Sequence, residues 1–226
     1  MSEPTQKQAF LDSEGDRFYE RNRNVLEPTD QSAAKDRVLS AINAANFQPR
    51  SVLEIGCSNG WRIEALRKSC GAKCHGIDPS ADAIRDGRVL FPELALEQGT
   101  ADALPFADNT FDLLIFGFCL YLCDRKDLFK IACESDRVLN DDGHIAILDF
   151  HPPFAYRNEY KHLAGMSSYK MNYATMFSWN PAYTLLTQTA FNHDGRDETP
   201  MPDDRLSVSI LRKDTRHAYP ENPFIR

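Results

Sequence analysis

A chain of 226 residues, 42% of them hydrophobic, has the length and apolar content of one globular domain. Its formal net charge of −7 argues against a nucleic-acid backbone as the main partner, because phosphate binding needs a basic face. The most apolar stretch, Phe111 to Cys123, is too short to cross a bilayer and carries Asp112; the opening MSEPTQKQAF lacks the apolar core of an export signal, so a cytoplasmic protein without a membrane span is expected.

In chain order, residues 1–30 are polar and promise partial order. Asp30-Gln31-Ser32 can cap a helix running to about Ala45, with Val38, Leu39 and Ile42 on one face and Pro49 to stop it. Ser51 to Ile55 reads as a buried strand, followed by a helix from about Gly60 to Ser69. Lys73 to Ile77 is a second strand, and Pro79-Ser80 opens a helix reaching about Leu90. Leu94 to Gln98 is a third, short strand; Phe111 to Gly117 is a fourth, apolar enough to be covered on both faces. Asp124 to Leu139 is helical, Asn140 to Gly143 a turn, and His144 to Phe150 a fifth strand. Past His151-Pro152-Pro153 the pattern changes, and residues 154–180 read as irregular and rich in tyrosine. Tyr183 to Phe191 and Arg205 to Leu211 then read as a terminal antiparallel strand pair, since Leu206, Val208 and Ile210 alternate with Arg205, Ser207 and Ser209. Alternating strands and helices predict an α/β fold: a doubly wound, mostly parallel, seven-stranded sheet with helices on both faces and that antiparallel pair at its end.

The six cysteines, Cys57, Cys70, Cys74, Cys119, Cys123 and Cys133, read as reduced thiols in a chain without an export signal. Cys70 and Cys74, like Cys119 and Cys123, are four apart rather than in the tight C-x-x-C spacing of zinc sites. Small buried side chains account for them, and no metal centre is assigned.

The sharpest local signal is Val52-Leu53-Glu54-Ile55-Gly56-Cys57-Ser58-Asn59-Gly60-Trp61. It contains G-x-S-x-G, the pattern of a hydrolase nucleophile elbow, but the loop follows the first strand and no HGGG-type stretch supplies an oxyanion site. A dinucleotide fingerprint from Gly56 would need glycine where Ser58 and Trp61 stand. Instead Glu54-x-Gly56-x-Ser58-x-Gly60 resembles the E/D-x-G-x-G-x-G loop of class I methyltransferases that use S-adenosylmethionine. Four further segments resemble that family in order: Gly76 to Ser80, Gly99 to Phe106, Phe111 to Ile115, and Arg137 to Gly143. Together they span about residues 50–150.

The resemblance implies S-adenosyl-L-methionine as cofactor and S-adenosyl-L-homocysteine as product. It implies a single domain in which 1–48 form an N-terminal cap, 49–150 the cofactor core, and 151–226 an acceptor-side insert with the terminal strand pair. Gly56, Cys57, Ser58 and Gly60 would let backbone approach the cofactor's methionine end, and the next helix would offer free N–H groups to its carboxylate. Asp78, with Pro79 beside it, would accept the ribose hydroxyls, or else would cap the following helix. Glu54 would support the loop or reach the cofactor's amine, or else would be a solvated strand end. Thr100 stands where an aspartate often meets adenine, so Asp102 or the backbone of Ala101 takes that contact, with Gly117 and Phe118 completing the pocket. A small polar acceptor, such as a sugar or nucleotide sugar, is expected, with protein or RNA methylation and a non-catalytic cofactor-binding module as alternatives. His151, just after the fifth strand, is the favoured base, or a structural histidine; Tyr121 and Cys119 would line the acceptor pocket. The insert carries Tyr156, Arg157, Tyr160, His162, Tyr169, Lys170, Tyr173 and Trp179, suited equally to holding a sugar or to packing as a lid. Gly15 to Asn22 could close over the cofactor.

Overall fold

A computed structural model describes residues 5–23, 35–193 and 201–224. The five apolar runs of the first half become parallel strands: β1 (Ser51–Ile55), β2 (Lys73–Asp78), β3 (Ala95–Gln98), β4 (Phe111–Gly117) and β5 (Leu139–Phe150). Two short strands, β6 (Tyr156–Glu159) and β7 (Ser167–Lys170), form a separate antiparallel hairpin. The chain then returns as β8 (Tyr183–Asn192) and β9 (Arg205–Lys213), with β9 antiparallel to both β5 and β8. The seven-stranded sheet has the order β3-β2-β1-β4-β5-β9-β8. It winds outward in both directions from β1 and β4, and β4 is the most buried: Phe111, Leu113, Leu114, Ile115 and Phe116 are all fully covered.

Two of the flanking helices begin at side-chain caps. In α3 (Arg37–Ala44) the Asp36 carboxylate accepts Leu39 N–H at 2.9 Å. The cap expected at Asp30-Gln31-Ser32 lies outside the described residues. Next come α4 (Trp61–Cys70) and α5 (Ala81–Leu90); Ser80 Oγ accepts Ala83 N–H at 3.0 Å to start α5. The helix expected from Asp124 is shorter: two 3₁₀ turns, Leu120–Leu122 and Arg125–Asp127, precede α6 (Leu128–Val138). The expected turn at Asn140 to Gly143 is absorbed into β5 as an irregularity, with Asp142 at φ 66° and a register shift against Phe111 and Leu113. The stretch expected to be irregular contains the β6–β7 hairpin and a single helical turn, α7 (Thr175–Ser178).

The N-terminal segment is helical, as α1 (Gln6–Ala9), a π turn (Phe10–Glu14) and α2 (Gly15–Asn22). Its ends are fastened by acids. Asp124 accepts Gln6 N–H and Lys7 N–H at 3.2 and 3.0 Å, and Asp16 accepts Ser80 Oγ–H and Asp82 N–H at 2.7 and 3.0 Å. Among the described residues no helix is long and apolar enough to cross a membrane.

Helix α5 approaches the loop after β1 closely because residue 87 is glycine. A Cβ there would lie 2.4 Å from the Asn59 carbonyl oxygen and 2.6 Å from Leu96 Cδ1. Glycine to alanine inside a helix ordinarily stabilises by about 1 kcal/mol. Here the backbone clash wins, and Gly87→Ala is expected to destabilise by about 1–3 kcal/mol in urea unfolding. A variant at least as stable as the parent would disprove the close approach.

Candidate active site

The loop after β1 turns back on itself through left-handed backbone: Gly56 has φ 74°, Ser58 φ 51° and Gly60 φ 83°. Gly56 N–H and Cys57 N–H both donate to Ile77 O, at 2.8 and 3.1 Å, pinning the loop to β2. A Cβ on Gly56 would lie 2.7 Å from Cys119 Cβ, so glycine is required there on two counts. Ser58 adopts the conformation that glycine favours, and its N–H donates to Asp78 Oδ2 at 2.8 Å. Its hydroxyl is buried with no hydrogen-bond partner, so no histidine activates it as a nucleophile.

Beside this loop, where the strand order reverses between β1 and β4, lies a cavity of about 700 Å³ at the carboxyl ends of the parallel strands. Of the cofactor residues expected from sequence, Gly56, Cys57, Ser58, Asp78, Pro79, Thr100, Ala101, Asp102, Gly117 and Phe118 line it; Glu54 and Gly60 stand behind them. Gly60 caps α4 and packs where a Cβ would sit 2.9 Å from Leu94 Cδ1.

Glu54 is no solvated strand end. It is fully buried, and Arg62 Nη1 donates to its Oε1, while Arg62 Nε donates to Asp36 Oδ2 at 3.0 Å. Glu54 Oε2 has no partner. Burial pushes this carboxyl up to about 7, with Arg62 opposing. Gly117 leaves it room, since a Cβ there would lie 2.6 Å from Glu54 Oε1.

Asp78 does not cap α5; Ser80 does. Asp78 accepts Ser58 N–H and, at 2.9 Å, Ser80 N–H, and burial raises its carboxyl to about 6 against the pull of those two donors. Asp102 is differently engaged. Lys7 Nζ lies 2.7 Å away, Lys130 Nζ 3.3 Å, and Thr100 Oγ1 donates at 2.9 Å. Burial works to raise the Asp102 carboxyl, but the bonds from Lys7, Thr100 and Lys130 outweigh it and hold it at about 2. The side chains of Thr100 and Asp102 are thus tied to each other and to the N-terminal helix.

The far end of the cavity is aromatic. Phe118, at φ 70°, packs its ring 4.8 Å from Tyr121, 5.2 Å from Phe150 and 6.0 Å from His193, centroid to centroid. The Tyr121 phenol lines the cavity and is pushed well above its ordinary value, chiefly by burial and then by Asp149. Cys119 also lines it. His151 does not. Its N–H bonds Arg205 O at 2.8 Å along the sheet, its Nδ1 is buried without a partner, and burial, then Arg205, lower its pKa. Two other histidines, His162 and His193, line the cavity. Of the insert residues singled out in the sequence, Tyr160 and His162 reach it; Tyr156, Tyr169 and Lys170 face a small depression of about 200 Å³ elsewhere. The N-terminal helix supplies Lys7, Phe10, Phe18 and Tyr19 to the wall, so the segment that includes Gly15 to Asn22 covers the cavity.

Sequence reading missed His193 and the extent of that helix. His193 was within reach of a topological argument. β8 is antiparallel to β9, and β9 to β5, so β8 runs with the parallel strands and ends at the same edge.

Residues 52–143 match the model of a family described as a methyltransferase domain. A Synechocystis protein, named an uncharacterised methyltransferase, is 32% identical over 111 residues, covering 49% of this chain and 52% of its own. Norajmaline N-methyltransferase of Rauvolfia serpentina is 28% identical over 153 residues, 62% of this chain and 50% of its own. The chain thus spans about half the length of these two curated relatives. Burkholderia thailandensis 1,6-didemethyltoxoflavin-N1-methyltransferase, solved with 1,6-didemethyltoxoflavin and S-adenosylhomocysteine, superposes with a TM-score of 0.71 at 16% identity over 95% of this chain and 92% of that one. Residues 52–143 are thus similar to a methyltransferase domain, and the chain shares the fold of a solved methyltransferase that holds S-adenosylhomocysteine.

The residues present fit that cofactor. On the cavity wall the half-buried Asp78 carboxyl suits donated hydroxyls, and behind the wall Glu54 Oε2, which has no hydrogen-bond partner, adds a negative field that favours an ammonium group. Ordinary carboxyl values are about 3.9 and 4.3. Both groups are raised above them, so in the free protein their stabilising contribution is present below about pH 4 and is lost as pH rises through about 6 for Asp78 and about 7 for Glu54. A ligand bringing an ammonium and hydroxyls favours the charged forms. Binding of S-adenosylhomocysteine should therefore tighten as pH rises from about 5 to about 8 and release roughly one proton near pH 6.5. Calorimetry in buffers of different ionisation enthalpy measures this, and Glu54→Gln should cut the release. Proton uptake on binding would refute the assignment.

Proposed function

We propose that this chain transfers the methyl group of S-adenosylmethionine to a small-molecule acceptor in the cytoplasm. The observation that carries the proposal is one continuous cavity, running from the Asp78 and Arg62 side to the Phe118, Tyr121 and His193 side. At about 700 Å³ it is of a size with small-molecule sites. The N-terminal helix, the strand ends and the insert wall it on separate sides, which favours a small acceptor over a folded protein or a nucleic acid. The similarity to norajmaline N-methyltransferase, an enzyme named for a small-molecule acceptor, supports the same reading. Residues 49–150 would then hold the cofactor, and the flanking parts of a single domain would enclose the acceptor.

When bound, the cofactor supplies a methyl carbon already activated by a sulfonium charge. Arg62, backed by Glu54, would hold its amino-acid end, Asp78 its ribose, and the backbone of Ala101 with Pro79 its adenine. Phe118 and Tyr121 exclude water from the far end. Tyr121, with its phenol held neutral, serves as a hydrogen-bond donor rather than a base. A ring nitrogen of His193 takes the acceptor's proton, since His193 lines the cavity on the sheet and touches Phe118.

Calorimetry should show S-adenosylhomocysteine binding at micromolar concentration and no binding of NAD. His193→Ala should then lower single-turnover transfer from labelled cofactor by about 10²–10⁴, the usual contribution of a general base. His151→Ala should change it less than about fivefold, the small effect of a residue outside the cavity. A loss that appears in His162→Ala or His151→Ala instead would take the proton away from His193.

A further inference from the structure

We infer that the acceptor is a planar aromatic or heteroaromatic molecule, held by stacking on Phe118. The inference rests on the methyl-transfer reading of the same cavity and adds to it the class of acceptor. The first observation is the backbone of Phe118. At φ 70° it occupies the left-handed region, where a bulky aromatic is an outlier and strain has to be met from elsewhere. Its N–H still bonds Leu148 O at 3.1 Å, so the conformation does not rescue a broken ladder. Its effect is on the side chain, which leaves the end of β4 and joins Tyr121 and His193 in the cavity wall, packed against Phe150. Glycine would adopt the same backbone without strain. What phenylalanine adds is a ring.

The second observation is the rest of the lining. Phe10 and Phe18, from the π turn and α2, line the same cavity, and Phe191 lines it from β8. A cavity lined by several rings suits a flat ligand, because offset stacking and edge contacts reward planarity beyond the area covered.

The third observation is charge. The cavity's tightest ion pairs lie at Arg62 with Asp36 and Glu54 and at Lys7 with Asp102, whereas the cations nearer the rings lie over ring faces: Arg21 is 6.0 Å from the Phe18 centroid and Lys170 Nζ 3.9 Å from that of Phe150. Arg37, which lines the cavity near Phe191, lies over that ring at 5.3 Å. Among the described residues, neither His162 nor His193 pairs with an acid. A saturated sugar would leave its hydroxyls against these ring faces. The sugar acceptor expected from the tyrosine-rich insert is therefore the weaker choice.

The test compares two probes of the same skeleton, 2-naphthol and 2-decalol, one flat and one puckered, with glucose 1-phosphate, a sugar phosphate without a ring base, as the third. S-adenosylhomocysteine is titrated first, and its failure to bind would count against the cofactor reading alone; the probes would then be titrated into the free chain. With the cavity's cofactor end filled, 2-naphthol should bind at least tenfold more tightly than 2-decalol, and glucose 1-phosphate should show no binding. Phe118→Leu, of similar apolar size but not flat, should remove the preference, and Phe118→Tyr should keep it. Equal binding of the two ring systems, glucose 1-phosphate as the tightest ligand, or a preference untouched by Phe118→Leu would each overturn the inference. The comparison on the unmutated chain decides it even if Phe118→Leu does not fold.

Discussion

A carboxylate buried at the end of the first strand constrains everything around it. Glu54 has no exposure, and an ionised carboxylate in such a place needs a cation. Arg62 provides it from the first turn of α4 and at the same time reaches Asp36, the cap of α3. One guanidinium thus ties together a strand, the helix that follows it and the helix that precedes it. For Arg62 to reach back, the chain between must reverse in five residues, which is why Gly56, Ser58 and Gly60 all take left-handed backbone. For Glu54 to fit, residue 117 must lack a side chain. Buried ion pairs are poor devices for stability, since desolvation offsets most of their attraction. Two acids sharing one base leave a deficit of positive charge. That deficit makes sense as a place kept for a cationic ligand.

The parts legible in the sequence were those set by neighbours in the chain. The bounds of β1 match the expected strand, and β2, β4 and α5 lie within a residue or two, because each is a short apolar run or a capped periodic stretch. The loop from Glu54 to Gly60 was legible for the same reason. The N-terminal helix was not. Its π turn from Phe10 to Glu14 breaks the 3.6-residue period on which helix detection depends. The β6–β7 hairpin has four-residue strands, too short to show alternation. His151 was favoured because it adjoins a strand end, but Arg205, 54 positions away in sequence, takes its N–H and keeps the backbone in the sheet. Asp102 and His193 owe their roles to Lys7 and to Phe118, contacts between segments distant in sequence.

The acidic composition also acquires a different meaning. A net charge of −7 first argued against a polyanionic partner. Several of those acids turn toward the backbone, as acceptors for N–H groups that loops would otherwise leave unsatisfied. Asp149 accepts Tyr121 N–H at 3.3 Å and Phe150 N–H at 2.8 Å; Asp112 accepts Arg50 N–H at 2.8 Å; Asp78 accepts from the cofactor loop. The carboxylates around the cavity are part of how its irregular backbone is held.

The same device governs the N-terminal helix. Asp124 holds its first N–H groups, Asp16 fastens it to the start of α5, and Lys7 reaches Asp102. Between these points it presents Phe10, Phe18 and Tyr19 to the cavity. Strand β4, on the other side, is buried along its length and cannot move without unpacking the sheet. Polar fastenings near the surface exchange with water at a net cost of about 1 kcal/mol each, whereas opening a packed core costs several times that for each large side chain uncovered. The helix has both kinds of hold: beside its surface acids, Phe10 and Tyr19 are buried, and Glu14, without exposure, pairs with Arg21 and accepts from Tyr160, so burial as well as the acids keeps it over the cavity.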